Sequence, residues 1–316
     1  MEILGAGTVI GGKYVITELL GSGGMGHVYH ARHYRIPEFE VAIKSLDPAF
    51  TTTVENKDRF RNEVLAGYRA NHPNIIQMYE YFDLGAQQAF AMEYVNAGTL
   101  HDVMDEGPLP LDVALNFVRQ IALGLSALHR AGTYHRDLKP ANVLVTEEGV
   151  VKLTDFGVAR VRGGTRFDEE GLLAGTPKYV PPEYVETGES DHRGDIYALG
   201  VLAYEMVSGA SPFRSDTNSS LLKEHLEVRG HDLCARAPDT PDEVGRLVER
   251  CMATNVIQRF PHAIDVAEAV AGIEHVYGWL TSENSATQKP ATRIVWSEFL
   301  REAQMEQDLE NEGDKA

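Results

Sequence analysis

His135-Arg136-Asp137-Leu138-Lys139-Pro140-Ala141-Asn142, with Asp155-Phe156-Gly157 a short way downstream, is the stretch whose reading decides the fold. It sets two carboxylates, an amide and an ammonium in the order that phosphoryl transfer from ATP uses. One Asp orients the attacking hydroxyl, an Asn and a second Asp hold Mg²⁺, and a Lys stands near the transferring phosphate. The polar residues sit among apolar ones, with Val143, Leu144 and Val145 after Asn142, and Val150, Val151 and Leu153 before Asp155. That pattern predicts a polar loop between short buried strands, which would hold the side chains rigidly. Singly, each Asp reads as a turn former; the ordered set does not.

Upstream, residues 14–43 alternate apolar and polar positions between glycines, which predicts antiparallel strands. A helical pattern follows at Phe60, Val64, Leu65 and Tyr68, and His72-Pro73-Asn74 breaks it before more strand-like sequence up to Val95. Asn96-Ala97-Gly98 reads as the join of two lobes. Beyond it Ala114, Phe117, Val118, Ile121, Leu125 and Leu128 form one apolar helical face, and the remainder to about Ile273 reads as helices. Strands first and helices afterwards predict a two-lobed α+β architecture.

Composition narrows the class. The 316 residues allow one large domain or two lobes with a real core, and 43% hydrophobic with 24% charged residues is ordinary for a globular protein. A net charge of −18 weighs against nucleic acid or anionic membranes as partners. Cys234 and Cys251 lack C-x-x-C spacing, which excludes a disulfide framework or thiolate zinc site and suits a reducing cytosol. The histidines show no H-E-x-x-H spacing. The N-terminus has no basic start or long apolar run. The most hydrophobic segment, residues 196–204, is too short to cross a bilayer and predicts a buried helix. The expectation is a cytoplasmic protein without a transmembrane segment, or a piece of a longer membrane-bound one.

Gly21-Ser22-Gly23-Gly24-Met25-Gly26-His27-Val28, Val41-Ala42-Ile43-Lys44, and Gly175-Thr176-Pro177 through Pro181-Pro182-Glu183 join the two motifs above in an order that resembles the protein kinase family. A glycine-rich turn alone would be weak, since dinucleotide folds share it; here Val28 and Tyr29 continue as a strand, and no helix starts at the last glycine. The phrasing Leu153-Thr154-Asp155-Phe156-Gly157-Val158-Ala159-Arg160 is most similar to bacterial serine/threonine kinases of eukaryotic (Hanks) type. The resemblance implies a small β-rich ATP-binding lobe at residues 14–95 and a larger helical lobe at residues 96–273. An acidic extension, partly linker, follows at residues 274–316.

By resemblance, Leu20, Gly21, Gly23 and Gly26 cover the ATP phosphates, Lys44 contacts them, and Glu63 orients Lys44. Glu55 is a weaker candidate on the same predicted helix. Met92 guards the adenine pocket, the Glu93 and Val95 backbones bond the base, and Val28, Ala42 and Leu144 enclose the purine. Asp137 takes or orients the hydroxyl proton, Lys139 stabilises the transferring phosphoryl group, and Asn142 and Asp155 hold Mg²⁺, with Mn²⁺ as an alternative. Asp195, Glu183 and Arg259 are implied to be structural. Lys139, two positions after Asp137, and Thr176, placed to bond both, are the serine/threonine-kinase choices. Gly67 departs from the family, which usually packs a larger apolar side chain there. Glycine costs roughly 1 kcal/mol against Ala in a helix and leaves space that another group must fill.

The implied function is Ser/Thr phosphorylation of proteins in bacterial signalling, with autophosphorylation. The rivals are a pseudokinase scaffold, disfavoured because Lys44, Asp137, Asn142 and Asp155 are all present, and a small-molecule phosphotransferase. Arg136 typically binds an activation-segment phosphate in such relatives. Thr165 is the remaining threonine between Asp155 and Glu183, while Asp168, Glu169 and Glu170 offer carboxylates that mimic a phosphate. A bland solvated loop is the alternative. In the extension, residues 296–309 form a potential acidic helix, and Trp279, Trp296 and Phe299 suggest a regulatory partner; a homodimer stays open.

Overall fold

The computed structural model describes residues 3–23, 26–48, 61, 65, 67–85, 88–156, 177–215, 217–226 and 232–278. The alternating N-terminal sequence forms an antiparallel sheet of β1 (Val9–Ile10), β2 (Tyr14–Gly23), β3 (Gly26–His33), β4 (Ile36–Leu46), β5 (Met78–Asp83) and β6 (Gln88–Glu93), in the spatial order β1-β2-β3-β4-β6-β5. Successive side chains of a strand face opposite ways. Along β4 this sends Val41 and Ile43 into a core shared with Tyr14, Ile16, Tyr29 and Ala31. Ala42 and Leu46 enter the larger core instead, with Phe90 and Met92. Lys44 lies between Ala42 and Leu46 in this alternation, so it takes their face.

The β2–β3 hairpin closes at Gly23↔Gly26. Gly26 has φ 144°, and a Cβ there would sit 1.9 Å from the Ser45 carbonyl oxygen. Only glycine fits. A Cβ on Gly21 or Gly23 would meet nothing within 4 Å, so the fold alone makes no demand for glycine at those two positions.

The expected join between the lobes is itself a strand. β7 (Ala97–Thr99), β8 (Val143–Thr146) and β9 (Val151–Leu153) form a second antiparallel sheet in that order. Thr99 then caps α1 (Leu100–Asp105): its hydroxyl accepts from Asp102 N–H, and the Asp102 carboxylate accepts from Thr99 N–H at 2.7 Å. The apolar face read from the sequence lies on α2 (Leu111–Arg130), where Ala114, Phe117, Val118, Ile121, Leu125 and Leu128 are all buried. Among the described residues α2 is the one helix long and apolar enough to cross a membrane; here that face is packed against protein.

The helical lobe continues with α3 (Pro182–Thr187), α4 (Arg193–Ser208), α5 (Asn218–Leu226), α6 (Leu233–Arg236), α7 (Asp242–Cys251) and α8 (Ala263–Tyr277). α4, which contains residues 196–204, is buried almost throughout and touches both α2 and α7. α8 runs past the expected boundary at Ile273. Glu274 is buried there, and its carboxylate accepts a hydrogen bond from Arg119 Nε of α2 at 2.9 Å. The potential helix at residues 296–309, with Trp279, Trp296 and Phe299, lies outside the described residues.

Candidate active site

Asp195 holds the loop of residues 135–142 in place. Its carboxylate is buried near the start of α4 and accepts from His135 N–H and Arg136 N–H, each at 2.8 Å. His129 Nε2 donates to the same group, also at 2.8 Å. Arg136 has φ 64°, a left-handed conformation that a non-glycine residue adopts only under constraint. The bond from its N–H to Asp195 supplies that constraint. Burial pushes the Asp195 carboxyl up, but the bond and charge of His129, with His135 and the Arg136 N–H, bring it below the usual range. The resemblance implied Asp195; it did not point to His129, whose only signal is its place at the end of α2.

With the loop fixed, Pro140–Asn142 forms a 3₁₀ turn, and the functional groups converge. Lys139 Nζ lies 2.9 Å from Asp137 Oδ2. Asn142 Nδ2 donates to the Asp137 carbonyl at 2.7 Å and to its carboxylate at 3.0 Å. These bonds orient the Asp137 carboxylate and use the amide nitrogen of Asn142, leaving the amide oxygen as a ligand for a cation. Asp155 has φ 58°, and its carboxylate meets Lys44 Nζ at 2.5 Å. Burial pushes this carboxyl up, and the Lys44 ammonium, aided by His135 and Lys139, more than offsets that, so it stays ionised well below neutral pH.

β9 delivers Asp155, and a segment read only as a helix breaker positions β9. Asn74 Nδ2 donates to the Val151 carbonyl at 2.8 Å, Leu153 N–H donates to the Asn74 carbonyl at 3.0 Å, and Ile76 N–H donates to the Leu153 carbonyl at 3.0 Å. Gln120 of α2 accepts from Val151 N–H at 2.9 Å. His135 is fully buried, and burial lowers its pKa against the opposing pull of Asp195, Asp137 and Asp155. It packs edge-to-face with Phe156 at 6.4 Å.

The residues expected to enclose the purine belong to, or pack on, the larger core. Ala42 pairs with Met92, and Val28 pairs with Lys44, across adjacent strands. Ala42 and Met92 are buried, while Val28 and Leu144 pack against the same core and are partly open. Leu20 is 44% exposed at the glycine-rich hairpin. The Glu93 side chain pairs with Lys152 at 2.8 Å, and Glu93 N–H donates to the Gln77 carbonyl at 2.8 Å; Val95 follows directly. Arg259 binds both Glu183 oxygens, at 2.9 and 2.7 Å. Glu63, Glu55, Thr165, Asp168, Glu169, Glu170 and Thr176 lie outside the described residues, while Arg136 is exposed with its guanidinium over the Tyr134 ring at 5.2 Å.

The model of the protein kinase domain matches residues 14–271. This chain belongs to the protein kinase family. The chain is 33% identical to a probable serine/threonine-protein kinase of Clostridium perfringens, over 82% of this chain and 38% of that one. Identity to the serine/threonine-protein kinase PknL of Mycobacterium tuberculosis is also 33%, over 82% of this chain and 66% of that one. The crystal structure of the M. tuberculosis PknI kinase domain is similar, with 28% identity and a TM-score of 0.68, over 85% of this chain and 99% of that domain. The chain thus spans between 38% and 66% of the length of the curated relatives it matches.

Kinase-family membership implies the use of ATP and a divalent cation. Among the described residues no group of three or more His, Cys, Asp or Glu side chains could hold a metal by itself. One carboxylate and one amide oxygen fit a small hard cation that takes its other ligands from phosphates and water. The kinase fold also separates two kinds of glycine. Gly26→Ala should lower the melting temperature, at a cost of about 2 kcal/mol or more. Gly21→Ala and Gly23→Ala should leave melting unchanged and raise KM for ATP. Thermal melts beside ATP titrations of activity decide this.

Proposed function

We propose that this chain is an ATP- and Mg²⁺-dependent protein kinase that phosphorylates Ser and Thr hydroxyls in bacterial signalling. The observation that carries the proposal is the bonded set Lys139–Asp137–Asn142 held beside the Lys44–Asp155 pair. Asp137 accepts or orients the hydroxyl proton of the substrate, and the ammonium of Lys139 faces the charge that develops on the transferring group. Lys44 holds the α- and β-phosphates. Asn142 and Asp155 would bind Mg²⁺, which draws charge from the phosphate oxygens when bound. Leu20, Val28, Ala42, Met92 and Leu144 enclose the base, whose polar edge meets the Glu93 and Val95 backbones.

The Ser/Thr preference rests on Lys139 and Thr176, and on the similarity to bacterial serine/threonine-protein kinases. A scaffold reading finds no support, because no catalytic group is missing. Cys234 and Cys251 are both free thiols, which suits a cytoplasmic setting. The test is incubation with radiolabelled ATP, Mg²⁺ and a generic basic protein, followed by phosphoamino-acid analysis. Label on Ser and Thr is expected. Label on Tyr alone, or none on protein while a small alcohol is phosphorylated, would refute the proposal.

A further inference from the structure

His30 is a buried imidazole on the sheet that carries the glycine-rich hairpin, and none of the roles assigned above uses it. Alternation along β3 places it on the face of Val28, since Tyr29 and Ala31 turn to the smaller core. Its ring is held at both edges. Nδ1 lies 2.8 Å from Thr17 Oγ1 and 3.5 Å from Glu18 Oε1 on β2, and Nε2 lies 3.5 Å from Glu40 Oε1 on β4. Arg32 Nε donates to that same Glu40 oxygen at 3.0 Å, which fixes the carboxylate in turn. The flat of the ring meets Tyr94, with the two ring centroids 4.3 Å apart and the planes inclined by 34°.

Tyr94 stands between Glu93 and Val95, the residues whose backbones are proposed to meet the base. The β4–β6 register ends at Val41↔Glu93 and the β7–β8 register begins at Ala97↔Thr146, so neither ladder holds residues 94–96. Side-chain packing holds them instead. Tyr94 and Val95 pack on the larger core, and the His30 ring closes on Tyr94 from β3. Burial, then the charges of Glu18 and Glu40, push the Tyr94 phenol up, so the same two carboxylates bear on both rings. We propose that His30 is a positioning residue for ATP binding: its ring, packed on Tyr94, fixes the backbone between Glu93 and Val95 that receives the base. The proposal rests on that reading of the two backbones.

The test is steady-state kinetics in ATP, beside thermal melts, for wild type, His30→Gln, His30→Phe, Tyr94→Leu and the His30→Gln/Tyr94→Leu double variant. Gln keeps a polar group for Thr17 but no ring, and Phe keeps the ring alone. An aromatic pair of this kind shifts an equilibrium constant by a factor of roughly two to ten. His30→Gln and Tyr94→Leu should each raise KM for ATP roughly fivefold with kcat unchanged. His30→Phe should stay within about twofold of wild type, and the double variant should be no worse than either single change. A wild-type KM in His30→Gln overturns the proposal, as does a fall in kcat without a change in KM. A His30→Phe no better than His30→Gln, or losses that multiply in the double variant, also overturn it. Should His30→Gln fail to fold, Tyr94→Leu must show the raised KM and His30→Phe the near wild-type one, and any other result overturns the proposal. An ATP analogue with carbon in place of the N1 acceptor of adenine tests the underlying reading. If wild type binds it as tightly as ATP, the backbone reading fails and the proposal falls with it. Weak binding of the analogue beside an unchanged KM in His30→Gln rejects the role of His30 alone.

Discussion

Asp155→Ala and Lys44→Ala each reduce phosphoryl transfer by at least about 10³-fold, because electrostatic stabilisation by a bound cation is worth several kcal/mol. The two residues meet at 2.5 Å and come from distant parts of the chain, β4 and the end of β9. Removing the carboxylate takes away the proposed cation ligand and leaves the buried Lys44 ammonium without this partner. Removing the ammonium takes away the proposed phosphate contact. Both variants should keep the fold, since the strands on which they sit are anchored elsewhere, by the β3–β4–β6 pairing and by Asn74 and Gln120 on β9. Activity measured beside circular dichroism separates the two effects. A folded Lys44→Ala protein with near wild-type turnover would remove Lys44 from the phosphate site.

Arg259→Leu produces the largest expected loss of stability. The guanidinium is wholly buried and binds both oxygens of Glu183. It also donates to the carbonyls of Arg193 at 3.0 Å and Ala253 at 2.8 Å, and it lies over the Tyr197 ring at 4.9 Å. Leucine fills part of the volume but leaves the Glu183 carboxylate with the Ser190 hydroxyl alone and takes the guanidinium donor from the carbonyls of Arg193, Ala253 and Thr254. Breaking a buried pair in this way costs about 3–5 kcal/mol, which lowers Tm by roughly 10 °C in a domain of this size. Glu183→Gln keeps one acceptor oxygen and should cost less. A melting temperature unchanged in Arg259→Leu would show that this junction contributes little to the fold.

Much of this was legible in the sequence because it is local. The catalytic groups fall within two short stretches, the strands alternate with period two, and α2 announces its buried face at helical spacing. The remainder depends on contacts between distant residues. His129 is an ordinary histidine at the end of a helix until Asp195, 66 positions later, comes to 2.8 Å of it. His72-Pro73-Asn74 signals a broken helix, whereas the work of Asn74 is done by hydrogen bonds to a strand 77 positions away. Glu274 belongs by composition to the acidic extension, and only its bond to Arg119 brings it into the domain. At Gly67 the sequence reveals a missing side chain, and only packing reveals that Phe156 takes its place.

The division of labour between the two aspartates is tested most directly by calorimetric binding of ATP, with Mg²⁺ and with chelator, to wild type, Asp137→Ala and Asp155→Ala. Asp137 is bonded to Lys139 and Asn142 and is proposed to act on the hydroxyl, so Asp137→Ala is expected to bind MgATP with nearly wild-type affinity and yet label no protein. Asp155→Ala is expected to lose the part of the affinity that Mg²⁺ adds, while binding in chelator is unchanged. Full Mg²⁺-enhanced binding by Asp155→Ala, or sustained protein phosphorylation by Asp137→Ala, would contradict these roles.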